Sequence, residues 1–372
     1  MLYLDNSATT QVDPEVYEAM LPFLKEEFGN PSSKYYPQAV NSNKAVESAR
    51  QQVADLLGAS SKEIIFTSGS TEGNNMIIKG VADYYSDKGN HIITTATEHP
   101  SVLETCRYLE TKGFEITYLP VDQYGRINLA EFKASVKDST ILVTVIWGNN
   151  ELGSLNNIRE ISDYCLAQDV FFHTDATQVI GKVDIDLEDY PGISFLSCSS
   201  HKFHGPKGVG CVYIKKDQYD MLIPLTPLYH GGGQENNIRS GTLAVPGIVG
   251  IGKAAELAKE RMLENIKRLE ENEDYLTKIL KEKFAEVIVF NNDVINKIPG
   301  ILNVQFKGVN NELLLKQLAP VIAASTGSAC SSSKPSHVLQ AIGLSLEEIR
   351  STIRFSMSPQ LVEEELDVFK EL

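Results

Sequence analysis

Lys202 stands in Ser197-Cys198-Ser199-Ser200-His201-Lys202-Phe203-His204-Gly205-Pro206, between two histidines, after small hydroxyl residues and before a turn. A lysine amine condenses with an aldehyde to a Schiff base when its surroundings leave part of it unprotonated. Pyridoxal 5'-phosphate is the common aldehyde of this kind, and its sites also set a carboxylate against the pyridinium nitrogen. Upstream, Val170-Phe171-Phe172-His173-Thr174-Asp175-Ala176-Thr177-Gln178 is a short apolar run that ends in an acid. If both segments end on neighbouring strands of one sheet, Asp175 can take that role. A lone lysine in a Gly/Ser loop is more often solvated; Asp175 and the groups below favour Lys202 as the cofactor anchor.

Other polar groups recur at the ends of apolar runs. Glu63-Ile64-Ile65-Phe66-Thr67 leads into Ser68-Gly69-Ser70-Thr71-Glu72-Gly73, and a strand, small-residue turn and helix in that order aim a helix N-terminus at a phosphate. A plain capped turn is the other reading, and the Gly-Lys-Ser/Thr of a nucleotide-binding loop is absent. His99 follows His91-Ile92-Ile93-Thr94-Thr95, a ligand position in open α/β sheets or a helix cap. Asn150, after the strand 140–145, either meets a phenolic oxygen or completes a turn. Cys106 and Cys165 lie in helical patterns and Cys198 and Cys211 in or beside strands, so packing suits these four. Cys330 differs, standing in Ser325-Thr326-Gly327-Ser328-Ala329-Cys330-Ser331-Ser332-Ser333-Lys334-Pro335, a pliable hydroxyl-rich loop where a thiol is a candidate nucleophile. Arg354, on a strand in the same part of the chain, is a candidate clamp for a substrate carboxylate.

Composition sets the frame. With 42% hydrophobic and 22% charged residues, the 372-residue chain reads as a globular protein able to bury a large core. A net charge of −15 disfavours nucleic acid as a partner. No apolar run reaches the roughly 20 residues of a membrane span, and the start of the chain has no signal-peptide pattern. Five widely spaced cysteines give neither a disulfide framework nor a metal site, which fits a reducing cytoplasm.

These groups need a scaffold of strands alternating with helices: a mostly parallel α/β sheet covered on both faces, with ligands at the strand C-terminal ends. The spacing predicts a large domain over 13–250. A long helical pattern from Gly247 to about Phe284 bridges to a smaller α+β domain over 251–372, against which residues 1–12 pack.

Taken together, the motifs resemble the cysteine desulfurases of the nitrogenase and iron–sulfur-cluster branch, within the class V, fold-type I pyridoxal-phosphate enzymes. The resemblance runs from Leu4-Asp5-Asn6-Ser7-Ala8-Thr9-Thr10 to Ile353-Arg354-Phe355-Ser356. It rests on Thr67-Ser68-Gly69-Ser70-Thr71-Glu72, Asn149-Asn150-Glu151-Leu152-Gly153, His173-Thr174-Asp175-Ala176-Thr177-Gln178, Ser200-His201-Lys202, Arg239-Ser240-Gly241-Thr242 and Gly327-Ser328-Ala329-Cys330. It implies a seven-stranded, mostly parallel sheet in the large domain, and Lys202 bonded to the cofactor. It implies Asp175 at the pyridinium nitrogen, Gln178 and Asn150 at the phenolic oxygen, and His99 stacked on the ring and moving protons. Ser70, Thr71, Ser199 and His201 would hold the phosphate, with Thr242 reaching across from the second subunit of a homodimer. Cys330 would take sulfur from L-cysteine as a persulfide, leaving L-alanine, while Arg354 and Asn30 hold the substrate carboxylate. The persulfide would serve iron–sulfur clusters, or thiolation of a cofactor or tRNA, through an acceptor protein or thiol. Two departures stand out: the Cys330 loop is about two residues short of the branch's long form, and a C-terminal extension is missing. The shorter loop points to an acceptor that inserts into the cleft mouth, or to a small thiol. A class V aminotransferase or lyase acting on another small amino acid is the competing expectation.

Overall fold

The computed structural model describes residues 1–327 and 334–371. Strands β1 to β12 run Leu2–Tyr3, Ile64–Thr67, His91–Thr95, Glu115–Leu119, Thr140–Thr144, Phe171–Asp175, Ile193–Ser199, Gly210–Ile214, Ile288–Phe290, Ile301–Phe306, Ile322–Ala323 and Thr352–Ser356. Seven of them form the main sheet in the order β2-β8-β7-β6-β5-β3-β4, with β8 antiparallel to both its neighbours and the other pairings parallel. This is the mostly parallel sheet that the strand–helix alternation predicts. Strands β2, β3 and β5 are buried at every position, because helices cover both faces and no edge of the pleat needs to be polar.

The two strand ends that matter most are neighbours. Asp175, the last residue of β6, pairs in register with Ser197 of β7. β7 continues to Ser199 and passes directly into the 3₁₀ turn Ser200–Lys202. On the far side of β8, Thr67 and Ser199 lie opposite the same residue, Gly210. Thus the turn into helix Ser70–Tyr84, the turn carrying Lys202 and the end of β6 open on one edge.

The long helical pattern resolves into two helices, Val245–Glu260 and Met262–Phe284, joined at Arg261. No proline breaks it. Arg261 instead turns out to pair with Asp13 and Glu15, the cap and first turn of helix Pro14–Lys25. Helix Met262–Phe284 lays Leu269, Leu276, Ile279 and Leu280 onto Val304 of β10 and Ile353 and Phe355 of β12, a second core. The sheet beneath it is β12-β10-β9. The N-terminal segment joins this core: β1 pairs with β11, and Leu2 and Leu4 are buried there. The acidic C-terminal stretch forms the 3₁₀ turn Glu363–Asp367, which runs directly into the short helix Val368–Glu371.

One buried ion pair pins the glycine-rich connection after β8 to the sheet. Arg50 Nη1 and Nη2 donate to the two Glu235 oxygens at 2.8 and 2.7 Å, and Glu235 also accepts from the Phe66 amide at 2.7 Å. Removing Glu235 leaves the buried Arg50 with only the solvent-exposed Glu47, 3.3 Å away, as counter-charge among the described residues, at a cost of roughly 3–5 kcal/mol. Glu235→Ala is therefore expected to lower unfolding stability by about that amount in a denaturant titration; a loss under about 1 kcal/mol would contradict the assignment.

Candidate active site

The strand ends enclose a cleft of about 260 Å³ lined by Ser70, Thr71, His99, Asn150, Asp175, Gln178, His201, Lys202 and Arg354 among others. Nine of the residues singled out from the sequence therefore meet there. Ser199 is buried just behind, where a Cβ on Gly69 would come within 3.5 Å of its Oγ. Asn30 lies elsewhere, exposed, with Oδ1 accepting from the Ser32 amide at 3.0 Å. Thr242 is exposed on the connection after β8 and does not line the cleft of its own chain. Cys330 falls in 328–333, outside the described residues.

Asp175 is only 3% exposed. Its Oδ1 accepts from the Thr177 amide at 3.0 Å and its Oδ2 from Asn74 Nδ2 at 2.7 Å. Both donors are neutral, so they orient the carboxylate without cancelling its charge. Asn74 Nδ2 also donates to Ser101 Oγ at 2.8 Å, and Asn74 Oδ1 accepts from Ser197 Oγ. Ser101 in turn touches His99: its amide donates to His99 Nδ1 at 3.1 Å, and its Oγ lies 2.8 Å from the same nitrogen. Nδ1 is thus the acceptor and the ring proton sits on Nε2. Burial holds His99 below its ordinary pKa; the Asp175 charge opposes this, and Lys202 and His337 reinforce it. A neutral imidazole follows at neutral pH. His99 also caps helix Pro100–Glu110, one of its two sequence readings, while lining the cleft.

Lys202 Nζ donates to the carbonyls of Ser7 at 2.6 Å and Ala8 at 2.7 Å. Gln178 shares the first: its Nε2 donates to Ser7 O at 2.8 Å, while its Oε1 accepts from Lys182 Nζ at 3.3 Å. Burial pushes Lys182 down to about 7, with Lys202 and Arg354 adding to it. His201 has Nδ1 3.1 Å from Thr9 Oγ1 and is pushed down to about 4 by burial, aided by the nearby lysines. Opposite, Gly69 takes φ 151°, a conformation open to glycine, and starts helix Ser70–Tyr84. That N-terminus, with the Ser70 and Thr71 hydroxyls, suits an anion.

Arg354 is 1% exposed. Its Nη1 donates to Asn150 O at 2.9 Å and Gly327 O at 3.1 Å, and its Nη2 to Asp5 Oδ1 at 2.7 Å. Nε has no partner among the described residues. Of five guanidinium donors, three are used, and the remaining two suffice for one carboxylate. Ser7 Oγ and Thr177 Oγ1, on residues that line the cleft, are buried without partners as well. Orphaned hydroxyls, an anion-seeking helix end, a lysine amine and a charged carboxylate together fit pyridoxal phosphate.

Sequence reasoning missed Asn74, Ser101, Glu98 and Glu151. Asn74 had a signal, since it follows Ser70 by one helical turn and so shares its face.

Comparisons with known proteins give the family. The family model described as aminotransferase class-V matches residues 2–369. The chain is similar to cysteine desulfurase IscS of Dictyoglomus turgidum, 46% identical over 369 residues, 98% of this chain and 92% of that protein. It is similar also to cysteine desulfurase IscS of Escherichia coli K12, 44% identical over 375 residues, 100% of this chain and 91% of that protein. Among solved structures, a NifS-like protein superposes with a TM-score of 0.92 at 38% identity, covering 100% of this chain and 97% of that one. SspA in complex with cysteine superposes with a TM-score of 0.81 at 37% identity, covering 97% and 100%.

Beside His99, the Glu98 carboxyl is fully buried, with Oε1 accepting from Thr95 Oγ1 at 2.9 Å and the Ile146 amide at 2.7 Å, and Oε2 without a partner among the described residues. Burial pushes it up to about 8, so it keeps its proton in the folded protein. The unfolded chain ionises above its ordinary value of 4.5, so this group's contribution is lost as pH rises from about 4.5 to 8. The stability advantage of Glu98→Gln over the wild type should therefore grow across that window, by at most about 1.4 kcal/mol per pH unit, in thermal melts of both proteins. A pH-independent difference would contradict a protonated Glu98.

Proposed function

The chain belongs to the aminotransferase class-V family, and we infer that it is a pyridoxal-phosphate-dependent cysteine desulfurase. The observation that carries this reading is the meeting in one cleft of the Lys202 amine and the buried, uncancelled Asp175 carboxylate. Asp175 would hold the cofactor's ring nitrogen, Ser70, Thr71, Ser199 and His201 its phosphate, Gln178 and Asn150 its phenolic oxygen, and Lys202 its aldehyde carbon. When bound, pyridoxal phosphate supplies a carbonyl that takes up the substrate amine and a cationic ring that draws electrons from the substrate's carbons.

The chain's own groups do the rest. Arg354, with two donors to spare, seizes the carboxylate of L-cysteine and fixes its orientation. Lys202 carries a proton to and from the substrate's α-carbon. His99 presents its Nε2 proton toward the cleft and stays neutral. The Cys330 thiolate attacks the substrate sulfur: the S–S bond forms as the Cβ–S bond breaks, and a proton completes the methyl group of alanine. The balance is L-cysteine plus the Cys330 thiol giving L-alanine plus the Cys330 persulfide. The transferred sulfur is oxidised as the β-carbon is reduced, so no outside oxidant enters. The persulfide then passes to an acceptor protein or small thiol, for iron–sulfur clusters or for thiolation.

A homodimer accounts for Thr242. That residue, exposed in its own chain, would complete the phosphate site of the second subunit. Tyr219, Met221 and Tyr229, exposed on the same connection after β8, favour a covered surface. Asn30 would join the substrate carboxylate by the same route or by movement of its turn. The four cysteines described are free and buried, which favours the reducing cytoplasm. Among the described residues no helix is long and apolar enough to cross a membrane.

The test is Cys330→Ser. The variant should keep the cofactor absorbance and still change it on adding cysteine, yet lose alanine release at least about hundredfold and carry no added sulfur by mass spectrometry. Full alanine release, sulfur on Cys106, Cys165, Cys198 or Cys211, or a keto acid as the wild-type product would overturn the reading.

A further inference from the structure

The roles above leave one buried acid of the cleft unused. Glu151 is 2% exposed and lines the cleft beside Arg354 and His337. Its Oε2 accepts from Ser336 Oγ at 2.6 Å. The same oxygen packs on the main chain of Gly327, where a Cβ would lie only 2.6 Å away. Gly327 also adopts φ 99°, so both space and backbone demand glycine there. Two points nine positions apart in sequence therefore meet on one carboxyl oxygen, and Cys330 lies between them in sequence.

Each flank is tethered further. Gly327 O accepts from Arg354, as described, and His337 Nε2 lies 2.8 Å from Glu98 O. Ser336 passes the constraint onward, because its Oγ accepts from the Leu339 amide at 3.1 Å and so starts helix His337–Ala341. Glu151 is itself held at both ends of its peptide unit. Its amide donates to Asn149 Oδ1 at 2.8 Å, and its carbonyl accepts from Asn303 Nδ2 at 3.3 Å. Burial pushes the carboxyl up, while the Ser336 hydroxyl and the charges of Arg354 and His337 pull it down. A carboxyl buried at this cost calls for a task.

We propose that Glu151 is a positioning residue for sulfur transfer: its carboxyl fixes both flanks of the segment that carries Cys330 and so sets where the thiol can reach. The proposal rests on the reading of Cys330 as the sulfur-accepting nucleophile. Orientation of a nucleophile is worth large factors in rate, and a displacement of about 1 Å can cost on the order of a hundredfold. Cofactor and substrate binding, by contrast, use other groups and should be spared.

The test compares wild-type holoenzyme with Glu151→Asp, Glu151→Ala and Glu151→Gln. Aspartate keeps a carboxyl but withdraws it by one methylene, whereas glutamine keeps the length and an acceptor oxygen. Cysteine binding is read from the change in cofactor absorbance, turnover from alanine release, and the site of sulfur from peptide mass. The expected result is a fall in kcat of about tenfold or more for the Asp and Ala variants, with the half-saturating cysteine concentration within about twofold of wild type. Glutamine should restore kcat to within about threefold. With sulfur found on Cys330, three outcomes overturn the proposal alone: unchanged kcat in the Asp and Ala variants, loss of cysteine binding in step with turnover, or a Gln variant as impaired as Ala. Sulfur on another cysteine of the wild type overturns the nucleophile reading first, and the proposal with it.

Discussion

A carboxylate buried at a strand end is costly unless something cationic meets it or hydrogen bonds hold it. Asp175 is held by two neutral N–H donors, which leave its charge pointing into the cleft. The rest of the site is arranged around that charge. Strand β7, in register with β6, delivers Lys202 beside it, and Asn74 ties it through Ser101 to His99. One neutral amide thus orients the Asp175 carboxylate directly and the His99 imidazole through Ser101. Removing the Asp175 charge should leave the fold largely intact and deprive the chemistry of its electron sink.

The second constraint is that the cleft has walls from two cores. The main sheet supplies Asp175, Lys202 and the helix N-terminus at Ser70, while β12 of the second core supplies Arg354. The N-terminal segment stitches them together. Ser7 and Ala8 give their carbonyls to Lys202, Asp5 pairs with Arg354, and the Ser7 amide donates to Ser356 Oγ at 2.8 Å. Arg354 also holds the Gly327 carbonyl, so the buried guanidinium touches the flank of the Cys330 segment. The Gly327 contact uses Nη1, and the two donors left over are on Nε and Nη2.

Much of this was legible because parallel α/β sheets put function at strand ends. Asp175, Lys202, His99 and the Ser70 turn each follow an apolar run, and the fold brings all four into one cleft. Asn74 and Glu151 were harder. Asn74 hides in the face of a helix whose neighbours are apolar, and Glu151 reads as part of a turn; their partners come from residues far apart in sequence. The break at Arg261 was invisible to periodicity, because the apolar spacing continues through it and only the pairing with Asp13 and Glu15 marks it. Thr242 and Asn30 rested on the resemblance alone, and one chain does not carry them to its own cleft. Cys330 was marked by the company of serines and glycine around it, a signal of composition that needs no structure.

The most direct measurement is the turnover of Asp175→Asn at matched cofactor occupancy, with occupancy read from absorbance and turnover from alanine released from cysteine. An amide keeps the shape and loses the charge. The account predicts occupancy close to wild type and turnover lower by about a hundredfold or more, the scale of a lost preorganised electrostatic contact. Turnover near the wild-type rate in the asparagine variant would contradict it.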